Sequence, residues 1–332
     1  MPIHPEVEKY LENSRRLQIP LKTLVKLVIT KPVTVLKLLK SRDSLEDLTG
    51  ITPEVVRYYY ESVSRPGPEV HSVEDKEIQE GIPIRIYRPK ESSEPLPVIV
   101  YFHGGGWVIG SLNTHDETCR SMANAIGAVV VSVDYRLAPE HPFPAAPQDC
   151  YAATCWVAEN AQEIGIDPSR LVVAGDSAGG NLAAVVAQIA REEKKPEIIF
   201  QALIYPAVDI DLDRWPSYEE NANAPILTTT SMKWFLQHYV GTTLLTDDPL
   251  AAPIRAKDFS GLPPCYIATA EFDPLRDEGM AYANVLAEAG VTVEAKCFDG
   301  LVHGFSSLAP DLEIAEKARD EIFEAIKKAV TA

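Results

Sequence analysis

"VVAGDSAGGNLA", residues 172–183, runs from a β-branched apolar stretch through Gly-Asp-Ser-Ala-Gly into an alanine-rich segment. A serine with glycine two positions to either side, between a strand pattern and a helix pattern, marks a turn too tight to hold side chains at the flanking sites. Such a turn lifts Ser177 out at the C-terminal end of its strand, the edge at which open α/β sheets present ligands. If this stretch is a strand feeding a helix, the rest of the chain should repeat that alternation.

It does so from about Glu69 onward. The runs "IPIRIYRP", "PVIVYFH", "AVVVSVDY", "RLVVAG", "FQALIYP", "CYIATAE" and "TVEAKCF" read as strands, and several are continuously apolar, as strands buried on both faces require. Helical stretches fall between them, among them 178–194, and a further one spans 311–330. The expected fold class is therefore α/β, a single doubly wound and mostly parallel sheet. Two regions break the rhythm. Residues 209–248 are rich in aromatics and turn formers and read as an insertion. Residues 13–42 hold eight basic and no acidic side chains, and are expected to form amphipathic helices split near Pro32 and packed as a lid rather than a membrane-binding element.

Composition narrows the function classes. Lys and Arg number 31 against 48 Asp and Glu, a net charge of -17, which repels phosphate backbones and anionic lipid surfaces, so neither nucleic acid nor membrane is an expected partner. The five cysteines are an odd number without paired zinc-type spacing, so no disulfide framework or metal site is expected. The N-terminus carries charges where a secretion signal needs an apolar core, and the expected location is the cytoplasm.

A serine hydroxyl becomes a useful nucleophile only when a base takes its proton and a carboxylate orients that base. Asp273, in "EFDPLRDEG", follows the strand "CYIATAE", and His303, in "DGLVHGF", follows "TVEAKCF". Asp273 also suits a helix N-cap before Pro274. Position decides for chemistry, because Ser177, Asp273 and His303 all follow strands whose ends share one sheet edge. His4, His71, His115, His141 and His238 lack that combination, and Glu271, Asp277 and Asp299 are reserve carboxylates. "YFHGGGW", residues 101–107, supplies bare backbone at the end of another strand. Gly105 and Gly106, with Ala178 after the serine, are expected to present N–H donors to an oxyanion, each worth ~3 kcal/mol of transition-state stabilisation. His103 is expected to anchor this loop. A nucleotide-binding reading fails on spacing, since Gly104, Gly105, Gly106 and Gly110 do not form G-x-G-x-x-G.

The set "HGGGW", "DYRLAPEHPFPAA", "GDSAGG", "DPLRDEG" and "HGF" resembles the hormone-sensitive-lipase-like carboxylesterases, bacterial lipase family IV, over about residues 70 to 330. The resemblance implies an α/β-hydrolase fold with a helical cap, a Ser177, Asp273, His303 triad and an oxyanion hole from Gly105, Gly106 and Ala178. It also implies a cap built from residues 1–50 and 209–248 around a core of 51–208 and 249–332, and a homodimer through the last strand and helix. The expected activity is serine carboxylesterase action, without a cofactor, on neutral esters of short to medium acyl chain. Trp107, Trp215, Ile226, Leu227, Trp234 and Phe235 are the expected pocket or cap lining, and "APEHPFPAA" is read as support behind the site.

Overall fold

The computed structural model describes residues 2–14, 48, 50–241 and 247–331. The basic stretch expected to form a lid lies outside the described residues from Arg15 onward. Strands β1 (Ser72–Ile78), β2 (Ile82–Arg88), β3 (Leu96–Phe102), β4 (Val129–Val133), β5 (Ile166–Asp176), β6 (Phe200–Ile204), β7 (Cys265–Phe272) and β8 (Val293–Val302) form one eight-stranded sheet, in the order β1-β2-β4-β3-β5-β6-β7-β8. The β1–β2 and β2–β4 pairs are antiparallel and all others parallel. The α/β class read from the sequence is thus the observed one. β1 was not among the expected strands. Its sequence, SVEDKEI, is mostly exposed, and four consecutive charges hide its periodicity while guarding a sheet edge against further pairing.

β3 and β4 are buried at every position. Alternation then sends Val98, Val100 and Phe102 into the core on one face and Ile99 and Tyr101 into the core on the other. The first face is covered by the Ala145–Glu159, Ala178–Glu193 and Arg276–Glu288 helices, through Cys150, Leu182 and Leu286. The second is covered by the Asp116–Ile126 and Glu313–Thr331 helices, through Met122 and Ile322. Each fully buried Val or Ile contributes about 1.5–3 kcal/mol, so this double layer supplies the rigidity on which the loops stand.

The strand-to-helix turn after β5 is as sharp as the glycine spacing requires. Ser177 sits at φ 56°, ψ -117°, and its N–H donates to the Ile204 carbonyl at 2.8 Å. The next helix starts so close to β3 that a Cβ on Gly179 would lie 1.9 Å from the Phe102 carbonyl oxygen. Next to this turn, the segment after β6 is pinned by Glu278, whose Oε1 accepts the Val208 N–H at 2.8 Å and whose Oε2 meets the Tyr218 hydroxyl at 3.1 Å. Burial pushes the Glu278 carboxyl well above the ordinary glutamate range, against the lowering effect of the Val208 N–H. Beside it Asp209, fully buried, holds Arg255, Arg214 and the Trp215 indole N–H.

Two stability outcomes follow. Ala normally improves a helix interior by about 1 kcal/mol over Gly, yet Gly179→Ala should lower Tm sharply, because its methyl group meets backbone rather than a movable side chain. A group whose folded pKa is raised stabilises the fold in its protonated form and loses that contribution as pH rises through the folded value. Glu278→Gln keeps the acceptor and the shape, so it should shrink the fall in Tm between acid and alkaline buffer, whereas Glu278→Ala should cost about 2–4 kcal/mol in denaturant titration in acid buffer, where the carboxyl is protonated.

Candidate active site

The ends of β5, β7 and β8 bring Ser177, Asp273 and His303 together. Ser177 Oγ lies 3.0 Å from His303 Nε2, and His303 Nδ1 lies 2.7 Å from Asp273 Oδ2. With Nδ1–H donating to the carboxylate, Nε2 is left to accept the serine proton. Asp273 is fully buried, and its other oxygen accepts the Leu275 N–H at 2.9 Å. That bond closes a local turn ahead of the Arg276–Glu288 helix, whose N-cap is Leu275, so the helix N-cap role open to an aspartate before proline is not the one Asp273 takes. The Tyr205 ring stands edge-on to the imidazole, with ring centroids 4.8 Å apart, and limits its swing.

The glycine loop after β3 flanks the serine. Gly105 and Gly106 line the same cavity as Ser177, and Ala178 begins the helix directly after it. Among the described residues, the N–H groups of Gly105, Gly106 and Ala178 have no protein acceptor, which leaves them available to a developing negative charge. Gly106 has φ +57°, and a Cβ there would fall 2.3 Å from the Phe235 ring. Only a bare backbone passes between the serine and the helix Thr229–Tyr239 that carries Phe235.

Both ends of this loop are braced by groups that sequence reading missed. Asp176 Oδ1 accepts the Gly104 N–H at 3.0 Å and the Tyr101 hydroxyl at 2.6 Å, with His115 Nε2 at 3.4 Å. Burial alone would raise the Asp176 carboxyl, but His115 and the Tyr101 hydroxyl outweigh it and hold it below the usual aspartate value. At the far end Arg57 donates to the Val108 and Ala138 carbonyls, each at 2.7 Å, and grips Glu140 at 2.9 and 2.7 Å. His103 Nδ1 donates to the Gly104 carbonyl at 2.8 Å, and burial, then His115, lower its pKa to about 3. It is a neutral anchor rather than a base.

The cavity measures about 640 Å³, ample for a small ligand. Ile226, Leu227 and Phe235 line it, as expected, and so do Ile109 and Met232, which sequence reading did not single out. The three tryptophans are corrections. Trp107 is buried and stacks on Tyr239 at 4.4 Å, Trp215 spends its N–H on Asp209, and Trp234 packs edge-on against Phe235 and His238. Their large apolar area is used to pack the surrounding elements together, behind the wall rather than on it. Residues from the Pro53–Val63 helix, Tyr59, Tyr60 and Val63, complete the opposite wall.

Backbone strain concentrates here. Five non-glycine residues among those described have positive φ, and four of them, Trp107, Ser177, Tyr205 and Ile226, stand in the glycine loop, the elbow, the end of β6 and the segment over the cavity. Each such conformation costs on the order of 1–3 kcal/mol and is retained only where the surroundings enforce it.

Comparison with known proteins identifies the family. A family model described as alpha/beta hydrolase fold matches residues 99–307. The chain is 49% identical over 255 residues to carboxylesterase NlhH of Mycobacterium tuberculosis, covering 76% of this chain and 79% of that protein. It is likewise 49% identical over 246 residues to esterase LipI of the same organism, covering 73% and 77%. Among solved structures, a hyperthermophilic esterase from the archaeon Pyrobaculum calidifontis superposes with a TM-score of 0.84 at 39% identity over 100% of both chains. Fold, site geometry and kinship converge: the chain belongs to the hormone-sensitive-lipase-like carboxylesterases of the α/β-hydrolase fold and is a carboxylic ester hydrolase.

Proposed function

We propose that Ser177 is the nucleophile of this ester hydrolase, His303 its base and acid, and Asp273 the group that orients the imidazole. Ser177 Oγ bonds to the ester carbonyl carbon as its proton passes to His303 Nε2. The carbonyl oxygen takes up the electron pair facing the N–H groups of Gly105, Gly106 and Ala178. Collapse breaks the bond to the alcohol oxygen, which leaves with the proton from His303. Water repeats the sequence on the acyl-serine, releasing the acid and restoring the hydroxyl. The observation that carries this reading is the unbroken pair of hydrogen bonds from Asp273 through His303 to Ser177 beside three unpaired amides.

The substrates proposed are neutral esters of short to medium acyl chain, since the cavity combines a mainly apolar wall with a chain of net charge -17 that disfavours anions. Residues 1–50 and 209–248 are proposed to form the cap over the core, a reading supported by Tyr10, Ile226 and Phe235, which line the cavity from those segments. Cytoplasmic location is proposed from the free thiols at all five cysteines. No described helix is long and apolar enough to cross a membrane. Among the described residues β8 is an edge strand with β7 as its one strand partner, which supports a homodimer through that strand and the last helix, and light scattering that gives the mass of one chain at micromolar concentration overturns it.

Ser177→Ala and Asp273→Asn should each lower kcat for p-nitrophenyl butyrate by about 10,000-fold without loss of the folded CD spectrum. Retained turnover in either would move the role elsewhere. Protonated His303 cannot accept the serine proton, so kcat/KM should fall on the acid side, and a flat profile from about pH 8 to about pH 4 would contradict the base assignment.

A further inference from the structure

Three of the four strained residues around the serine have an evident use: Ser177 makes the elbow, Trp107 belongs to the braced glycine loop, and Tyr205 packs against His303. Ile226 has none among the described residues. Its φ is +71°, and the Leu227 N–H closes on the Pro225 carbonyl at 2.9 Å across it. That is a γ-turn of the rare, strained hand, at a β-branched residue, the type least suited to it. Leu227 turns inward and is buried, while Ile226 stays 42% exposed. Glycine or asparagine would close the same turn more easily.

The side chain's surroundings give the reason for its presence. Ile226 lines the cavity that holds Ser177, and its Cγ2 lies where a Cβ on Gly304, the residue after His303, would sit 3.6 Å away. Val63 lines the same cavity, at 49% exposure. These two are the most exposed of only three large apolar side chains in that state among the described residues, the third being Val73 on β1. A strained backbone and a solvated isoleucine both weigh against the folded state, and nothing among the described residues compensates for them.

We infer that Ile226 is a specificity-determining residue, held by its strained turn so that an apolar chain of the ester passes beside Gly304 between Ile226 and Val63. The chain is carried on either the acyl or the alcohol side, and what recognises it is the removal of aliphatic surface from water on both sides. The inference rests on Ser177 being the nucleophile, because the path is measured from that residue. A short ester stops before the rim and gains nothing from it. A longer one reaches the rim and covers both side chains.

The test compares parent, Ile226→Gly and Ile226→Val by kcat/KM on p-nitrophenyl acetate and octanoate for the acyl arm, and on ethyl and octyl acetate for the alcohol arm. The long-to-short ratio should fall about tenfold in Ile226→Gly in one arm, which identifies the side, and hold in Ile226→Val. Tm of Ile226→Gly should match or exceed the parent, since glycine accepts the positive φ. Ratios unchanged in both arms overturn the inference, and a lowered Tm with unchanged ratios shows ordinary packing instead. Fluorophosphonate labelling of Ser177 in all three proteins separates the premises: label on the variants ties an altered ratio to residue 226, while no label on the parent removes the nucleophile assignment and the inference with it.

Discussion

The helix that follows the nucleophile abuts the end of the neighbouring strand with no room for a methyl group between Gly179 and the Phe102 carbonyl. Everything at the site is registered by that contact. β3 carries the glycine loop and β5 carries the serine, and they are adjacent in the sheet, so the backbone amides and the hydroxyl share one rigid support. Asp176, the last residue of β5, then reaches across to the first amide of the loop. The strands on the other side, β7 and β8, deliver the carboxylate and the imidazole at their ends. Preorganisation here means donors and acceptors fixed by close-packed backbone before any ligand arrives.

Charge is handled by the same economy. Asp273 is fully buried, with one oxygen on the imidazole and the other on a backbone amide. Asp209 is equally buried and is met by two arginines and an indole. Glu278 has hydrogen-bond partners but no cation beside it, and burial favours its neutral form. A buried carboxylate is tolerated where partners replace its water, and becomes protonated where they do not.

The sequence made some of this legible and hid the rest for identifiable reasons. Ser177, Asp273 and His303 could be read together because each follows a stretch legible as a strand, and strand ends in a parallel sheet gather on one edge. The glycine run could be read because bare backbone has few other uses. β1 could not, since SVEDKEI spends its alternation on charge at an edge with one partner strand. Large aromatic residues announce burial without announcing a neighbour, so Trp107, Trp215 and Trp234 were indistinguishable from Phe235, which does reach the cavity. Arg57, in a tyrosine-rich helix, resembles a solvated charge, yet its partners Val108, Ala138 and Glu140 lie 51 to 83 residues away. Non-local pairing leaves no local pattern, and the backbone hand at Ile226 leaves none either.

The order in which the ribosome releases these parts has its own effect. The hydroxyl emerges at residue 177, the carboxylate at 273 and the imidazole at 303, while the Glu313–Thr331 helix that roofs one face of the sheet comes after them all. A chain that ends before that helix leaves the apolar strand face it covers open to chaperones.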